Sequence, residues 1–296
     1  MSVGLAQNTG AGASGGRGLS PAIWGDCPLI GGAPVMDPND GIIVWEDFVS
    51  GGLITSPTTS AALVGLPLSG FGSSGSTITY GTDPEGSVVL TEATNDEGGS
   101  IFSLVYPFQI SAHKKGLWFE ARIKTSTITA NQQGFFVGLA DSTAKTATVP
   151  LTATTALADL NLVGFHKPEA NTTTFNFSYK ADGHDAVPVS TGIGTLAANT
   201  WIKLGFKYIP DYGGSAKLFS FVDGVQQADS TTIPNNTGTS FPADTKLGPI
   251  VAHNTNREWS LMHLDLSRFK DAIEYGEILS DEELEEIEKS LARLGG

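Results

Sequence analysis

The chain has one cysteine, Cys27, in 296 residues. A lone thiol excludes an internal disulfide and any metal site built from several cysteines, and it suits folding in a reducing compartment. Charge is scarce: 16% of the residues are Asp, Glu, Lys or Arg, where an ordinary soluble domain has about 25%. Positive charge is scarcer still, with 17 Lys and Arg against 31 Asp and Glu and a net charge of −14. Nucleic-acid binding needs clustered cations to neutralise phosphate, and docking on an anionic membrane surface needs them too, so neither is expected. No run approaches the roughly 18 apolar residues of a membrane-spanning helix. The first residues, Met1 to Gln7, carry neither the basic start nor the apolar core of a secretory signal. What the chain does have is glycine, 36 residues against an ordinary share of about 7%. Its 40% of hydrophobic residues is enough for a sizeable core.

Residues 1–42 differ in composition from the rest. Asn8 to Gly18 holds no large apolar side chain and cannot offset its own ordering entropy. Leu19 to Pro38 is broken by Pro21, Pro28, Pro34 and Pro38, which predicts no helix there. Its isolated apolar residues read as anchors of an extended arm, with a disordered leader the equal alternative for residues 1–42. From residue 43 to 276 the pattern is of strands. In Gly116–Lys124, Leu117, Phe119, Ala121 and Ile123 alternate with Trp118, Glu120, Arg122 and Lys124, a period of two that turns the second set toward solvent. Phe175, Phe177 and Tyr179, then Ile202, Leu204, Phe206 and Tyr208, then Met262, Leu264 and Leu266 repeat that period. Gly134–Leu139 is apolar on both sides and reads as a central strand. Asp223-Gly224 between two strand runs is a two-residue hairpin signal. No helical pattern alternates with these strands, so the expected class is all-β and antiparallel.

Residues 277–296 predict the one helix of length. Ser280-Asp281-Glu282-Glu283 is a capping box, and Leu284, Ile287, Leu291 and Leu294 share one face. From Glu274 to Gly296 there are eight acids and two bases, so the back of this helix is acidic and the apolar stripe packs on the strands.

Motifs for chemistry are few. Gly10–Gly15 fits G-x-G-x-x-G and Gly12–Gly16 fits G-x-S-x-G, but neither sits in the strand–turn–helix context that gives those patterns meaning. The histidines 113, 166, 184, 253 and 263 form no i, i+4 pair. Oxygen-rich turns at Asn95–Glu97 and Asp182–Asp185 are the only candidates for calcium, and both lack the D-x-[DN]-x-[DN]-G spacing. No cofactor is expected.

Three stretches carry a resemblance. Trp45–Phe48 resembles the opening strand of concanavalin A-like (laminin-G-like) jelly rolls. Trp118–Ile123 with Phe136–Asp141 resembles their central pair, and the Asp223-Gly224 hairpin with Ile278–Glu283 resembles their close. The resemblance implies an antiparallel jelly-roll β-sandwich. Endoglucanases of this family carry E-x-D-x-x-E on one strand. That motif is missing, and Glu120 shares its strand face with Arg122 and Lys124, so no glycosidase is expected. Sugar-binding relatives imply loop Asp and Asn with an aromatic platform, for which Asp141, Asn161, Trp118 and Trp259 are the pieces present. A Gly-rich arm on such a jelly roll is similar to virion structural proteins of tailed bacteriophages. That likeness implies a non-enzymatic capsid decoration (cement) protein on the virion surface, made in the host cytoplasm. It would be a homo-oligomer bound to the major capsid protein, or to another virion protein, through Leu5, Arg17, Leu19, Ile23, Trp24, Leu29 and Ile30. The alternative is a carbohydrate-binding module of a head or tail appendage that adsorbs to host glycans.

Overall fold

The computed structural model describes residues 19–27, 42–46 and, short connections apart, 61–268. The expected helix over 277–296 lies outside the described residues, as do Leu5, Arg17, Leu29 and Ile30. In chain order the described strands are β1 (Ile42–Glu46), β2 (Ala61–Ala62), β3 (Leu68–Phe71), β4 (Thr77–Tyr80), β5 (Val88–Thr91), β6 (Gly98–Ser103), β7 (Phe108–Gln109), β8 (Leu117–Thr125), β9 (Gly134–Ala140), β10 (Leu151–Thr152), β11 (Ala156–Leu157), β12 (Leu162–Lys167), β13 (Thr174–Lys180), β14 (Val187–Thr195), β15 (Ile202–Ile209), β16 (Lys217–Val222), β17 (Val225–Thr232), β18 (Lys246–Asn254) and β19 (Glu258–Arg268). One helical turn, α1 (Pro21–Trp24), precedes them.

The first sheet has eight strands in the order β17-β16-β15-β8-β19-β5-β4, with β1 also on β19. The second has nine, β14-β13-β12-β9-β18-β6-β3-β2, with β7 also on β18. Neighbours run antiparallel, as in β15–β8, β19–β8, β12–β9 and β18–β9. The fold is an antiparallel jelly-roll β-sandwich. β8 and β9, expected as a central pair, are each central, one in each sheet and not side by side in one. The period-two pattern cannot tell these arrangements apart, because both bury the same side of each strand.

The alternating residues meet between the sheets. Phe119 and Phe206 of the first sheet stack at 4.9 Å, Phe165 and Phe177 of the second lie 4.7 Å apart, and Phe177 reaches Phe206 at 5.3 Å. Such ring pairs add about 0.5–1.5 kcal/mol each beyond the area they bury. At one end Phe241 packs between Tyr179 and Tyr208, at 5.1 and 6.1 Å, and burial pushes both phenols above their ordinary pKa. The Asp223-Gly224 turn has φ of 50° and 76° and joins Val222 to its partner Val225, as two-residue hairpins with positive φ at both central positions do.

Among the described residues, part of each outer face of the sandwich is covered by the chain itself. On the second sheet, residues 142–160 bring Ala144, Leu151, Leu157, Ala158 and Leu160 onto Phe136, Leu162, Ile250 and Ala252. On the first, residues 19–27 bring Ile23, Trp24 and Cys27 onto Trp118, Phe219 and Phe221. The second contact corrects two expectations. Residues 19–27 are folded back on the body and not extended. A helical turn forms despite Pro21, because proline at the first helical position gives up an N–H that has no partner there anyway.

Truncating the ring at the centre of the core, Phe165→Ala, is expected to cost about 3–5 kcal/mol. Equilibrium urea unfolding measures it.

Candidate functional site

The outer face of the first sheet is the most elaborated surface among the described residues. Register sets its rows. Phe219, Lys207 and Trp118 lie side by side across β16, β15 and β8, and Phe221, Gly205 and Glu120 form the next row. Lys203 and Arg122 form the third. Gly205 leaves a hole opposite Glu120, and Ile23 fills it. A Cβ at 205 would stand 2.3 Å from the Ile23 Cδ1 atom.

Charge is paired beneath this strap. Glu120 is fully buried; its Oε2 accepts from the Ser20 amide at 3.2 Å, and its Oε1 lies 3.6 Å from the Lys203 ammonium. A buried carboxylate needs such partners, since desolvation alone costs several kcal/mol. At the other end of the strap, Trp118 Nε1 donates to Asp26 Oδ1 at 3.0 Å. Lys207 donates to Asp26 Oδ2 at 2.7 Å and to the Ala22 carbonyl at 3.4 Å. The Asp26 side chain is 52% exposed, so its ion pair contributes about 0–1 kcal/mol. Burying Ile23 and Trp24 contributes more, roughly 1.5–3 kcal/mol each.

The expected site residues separate accordingly. Ile23 and Trp24, expected as anchors in a partner, are 1% and 3% exposed on the chain's own sheet, and Leu19 is half-buried beside them. Trp118, expected on an exposed face, is 4% exposed and offers no platform for a sugar ring, because the strap covers it. Beyond the strap, Trp201 carries the Arg122 guanidinium at 5.1 Å and the Lys124 ammonium at 4.6 Å.

Asp141 and Asn161 do come together, where β9 ends and β12 begins. Asp141 Oδ2 accepts from the Asn161 amide at 3.0 Å and from its Nδ2 at 2.8 Å, and Oδ1 accepts from the Thr143 amide at 2.9 Å. Asn161 Oδ1 accepts from the Asp182 amide at 3.1 Å, tying this corner to the Asp182–Asp185 turn. Nearby, the Gly183 amide at 2.9 Å and then Lys180 at 3.2 Å hold the Asp159 carboxyl below its ordinary pKa. Trp259 is at the other end. It pairs with Thr125, the last residue of β8, whereas Phe241 links the end of β13 to Tyr208 and hence to Leu117, the first. Eight residues of strand put about 25 Å between the two ends, so no common sugar site contains Asp141 and Trp259. The Asn95–Glu97 turn lies outside the described residues. Among the described residues no three His, Cys, Asp or Glu converge as metal ligands, and no helix is long and apolar enough to cross a membrane.

Sequence reasoning missed the cover over this face. One sign of it was present: Phe219 and Phe221 alternate with Leu218 and Val222, a strand apolar on both sides. It also missed that Asp265 on β19 is the register partner of Glu120, because a pair across two strands leaves no spacing in the sequence.

The chain matches no family model and no curated protein. Among solved structures it is similar to an endo-1,3-beta-glucanase from Streptomyces sioyaensis. Identity is 10%, over 80% of this chain and 99% of that one, with a TM-score of 0.50. It is also similar to a Shewanella oneidensis MR-1 protein of unknown function (15% identity, 82% and 98% covered, TM-score 0.49). A third is a carbohydrate esterase from the Shiga toxin-encoding bacteriophage phi24B (18% identity, 68% and 89% covered, TM-score 0.42). The first likeness is one of fold alone; the other two, with lower scores, add nothing to it.

Two outcomes follow from the geometry. Trp24→Ala should weaken closure by about 3 kcal/mol, about a hundredfold in the opening equilibrium. Cys27, fully buried under the strap, should then react that much faster with a thiol reagent while the β signal in circular dichroism is unchanged. The second outcome concerns pH. Desolvation lowers His166 from 6.5 to about 4 and His253 from 6.5 to about 3. Below about pH 6.5 the unfolded chain binds protons that the folded one refuses, so stability falls as pH drops toward those values. The slope is about 1.4 kcal/mol per pH unit for each histidine. Urea midpoints against pH should show it, and His166→Gln should make it shallower.

Proposed function

We propose that this chain is a non-enzymatic structural protein of a bacteriophage virion, a decoration protein bound to the capsid shell through its N-terminal arm. The observation that carries this reading is the sealed first sheet. Its central carboxylate, Glu120, is buried, paired with Lys203 and the Ser20 amide, and roofed by Ile23 and Trp24. A carboxylate buried in this way has no direct approach for a polysaccharide. Because Ile23 and Trp24 serve this roof, contact with the shell falls to Leu5 and Arg17 upstream and to Leu29 and Ile30 downstream. The strap then fixes the point on the body from which the arm departs. Several such arms in one oligomer would add avidity without new contacts.

A carbohydrate-binding role is the second reading, and the observation favouring it is the Asp141–Asn161 corner, where a carboxylate and an amide are held rigidly beside an exposed turn. Trp118 takes no part in it.

Deleting residues 1–18 leaves the strap and both sheets intact, and it is expected to abolish binding to cognate particles while thermal unfolding is unchanged. Full occupancy of the particles by the truncated protein would refute attachment through residues 1–18, and failure of the full chain to bind them would refute the decoration reading. A glycan array run with and without calcium tests the second reading, with Asp141→Ala expected to remove any signal that depends on the corner.

A further inference from the structure

The strap is built as a separable piece. Its turns are closed within itself, the Ser20 carbonyl accepting from the amides of Ile23 at 2.9 Å and Trp24 at 3.0 Å, the Pro21 carbonyl from Gly25 at 2.8 Å and the Trp24 carbonyl from Cys27 at 3.0 Å. It adds no strand to the sheet it covers. Its described contacts to the body are side chains in a socket (Ile23 over Gly205, Trp24 and Cys27 on Trp118, Phe219 and Phe221), polar bonds at its two ends, and one from Lys207 to the Ala22 carbonyl. Such a unit can leave one socket and enter an identical one without changing shape.

The chain that follows it is longer than its closed path requires. Asp26 sits at Trp118 and Lys207. Ile42 pairs with Arg268, which pairs with Leu117. Cys27 and Ile42 are thus separated by about three strand spacings, roughly 15 Å. The 14 residues from 28 to 41 reach about 50 Å when extended. For flexible tethers of this length the effective concentration is of the order of millimolar. In dilute solution a copy therefore closes on itself. Where copies stand side by side, the neighbour's socket is present at a comparable concentration, and exchange costs little because every contact is retained.

We propose that the outer face of the first sheet is an interface between copies of this chain, each socket accepting Ser20–Cys27 from a neighbour when the protein is crowded on a surface. The crowding rests on the decoration reading; the socket's ability to take a second copy's strap does not, so the two can fail separately.

Complementation between two full-length variants tests this without any capsid. Gly205→Val blocks the socket and keeps the strap. Ile23→Ser with Trp24→Ser and Cys27→Ser disables the strap, keeps the socket and removes the thiol. Alone, the socket variant should expose Cys27 and react at least about tenfold faster than the unsubstituted protein, and slow reaction would show that the strap does not occupy this socket. Added strap variant, up to about 1 mM to match the linker's effective concentration, should restore protection and yield a two-copy species by light scattering. Rapid reaction at every partner concentration would overturn the proposal. If Gly205→Val fails to fold, Phe221→Ser takes its place with the same two outcomes; loss of capsid binding on its own bears only on the decoration reading.

Discussion

The constraint on which this structure turns is a carboxylate in the middle of a strand with no water. Glu120 is fully buried at the centre of β8, and a buried charge is tolerated only when its oxygens are occupied. Lys203 supplies one partner from the next strand and the Ser20 amide the other. The second partner belongs to the strap, so the ion pair and the strap depend on each other. Without the strap, Glu120 regains water but loses the amide, and Trp118, Phe219 and Phe221 are left bare. Without Glu120, the Ser20 amide loses its acceptor at the point where the chain enters its turn. Gly205, opposite Glu120, completes the arrangement, since any larger residue would displace Ile23.

The same logic governs the other sheet with apolar means. There Phe136 lies over Gly164, where a Cβ would meet its ring at 2.8 Å, and residues 142–160 cover the row beyond it. Sheets buried on both faces carry side chains that are apolar, neutral or charge-paired on both faces. This explains why β9 is buried along its whole length, and why His166, on the same outer face, is held neutral with Nε2 at 2.9 Å from Ser178 Oγ.

Much of the sandwich was legible because alternation along a strand is a local signal. Phe175, Phe177 and Tyr179, or Leu204, Phe206 and Tyr208, point into the core as their spacing requires, and Asp223-Gly224 turns as its residue types require. What was not legible is long-range. Whether Trp118 faces solvent or protein depends on Trp24, 94 positions earlier, and no period in the sequence links them. The prolines misled for a related reason. Pro21 forbids a helix through it but permits one that begins at it, and four apolar or small residues between Leu19 and Trp24 suffice for one turn once a socket exists to bury them. Asp141 and Asn161 were recognisable as the right kinds of residue, but their separation from Trp259 is a matter of strand order.

Glu120 and Asp265 are register partners on adjacent strands, and retaining glycoside hydrolysis works with two carboxyl groups about 5–5.5 Å apart. Proximity is not sufficient for that chemistry. One of the acids must present a proton to the leaving oxygen and the other a lone pair to the sugar, and both must meet the substrate. Glu120 has one oxygen 3.6 Å from the Lys203 ammonium and the other accepting from the Ser20 amide. Ile23 of the strap lies over Gly205, in the row of Glu120. The face therefore acts as a seat for the chain's own segment, held by bonds that also stabilise the fold.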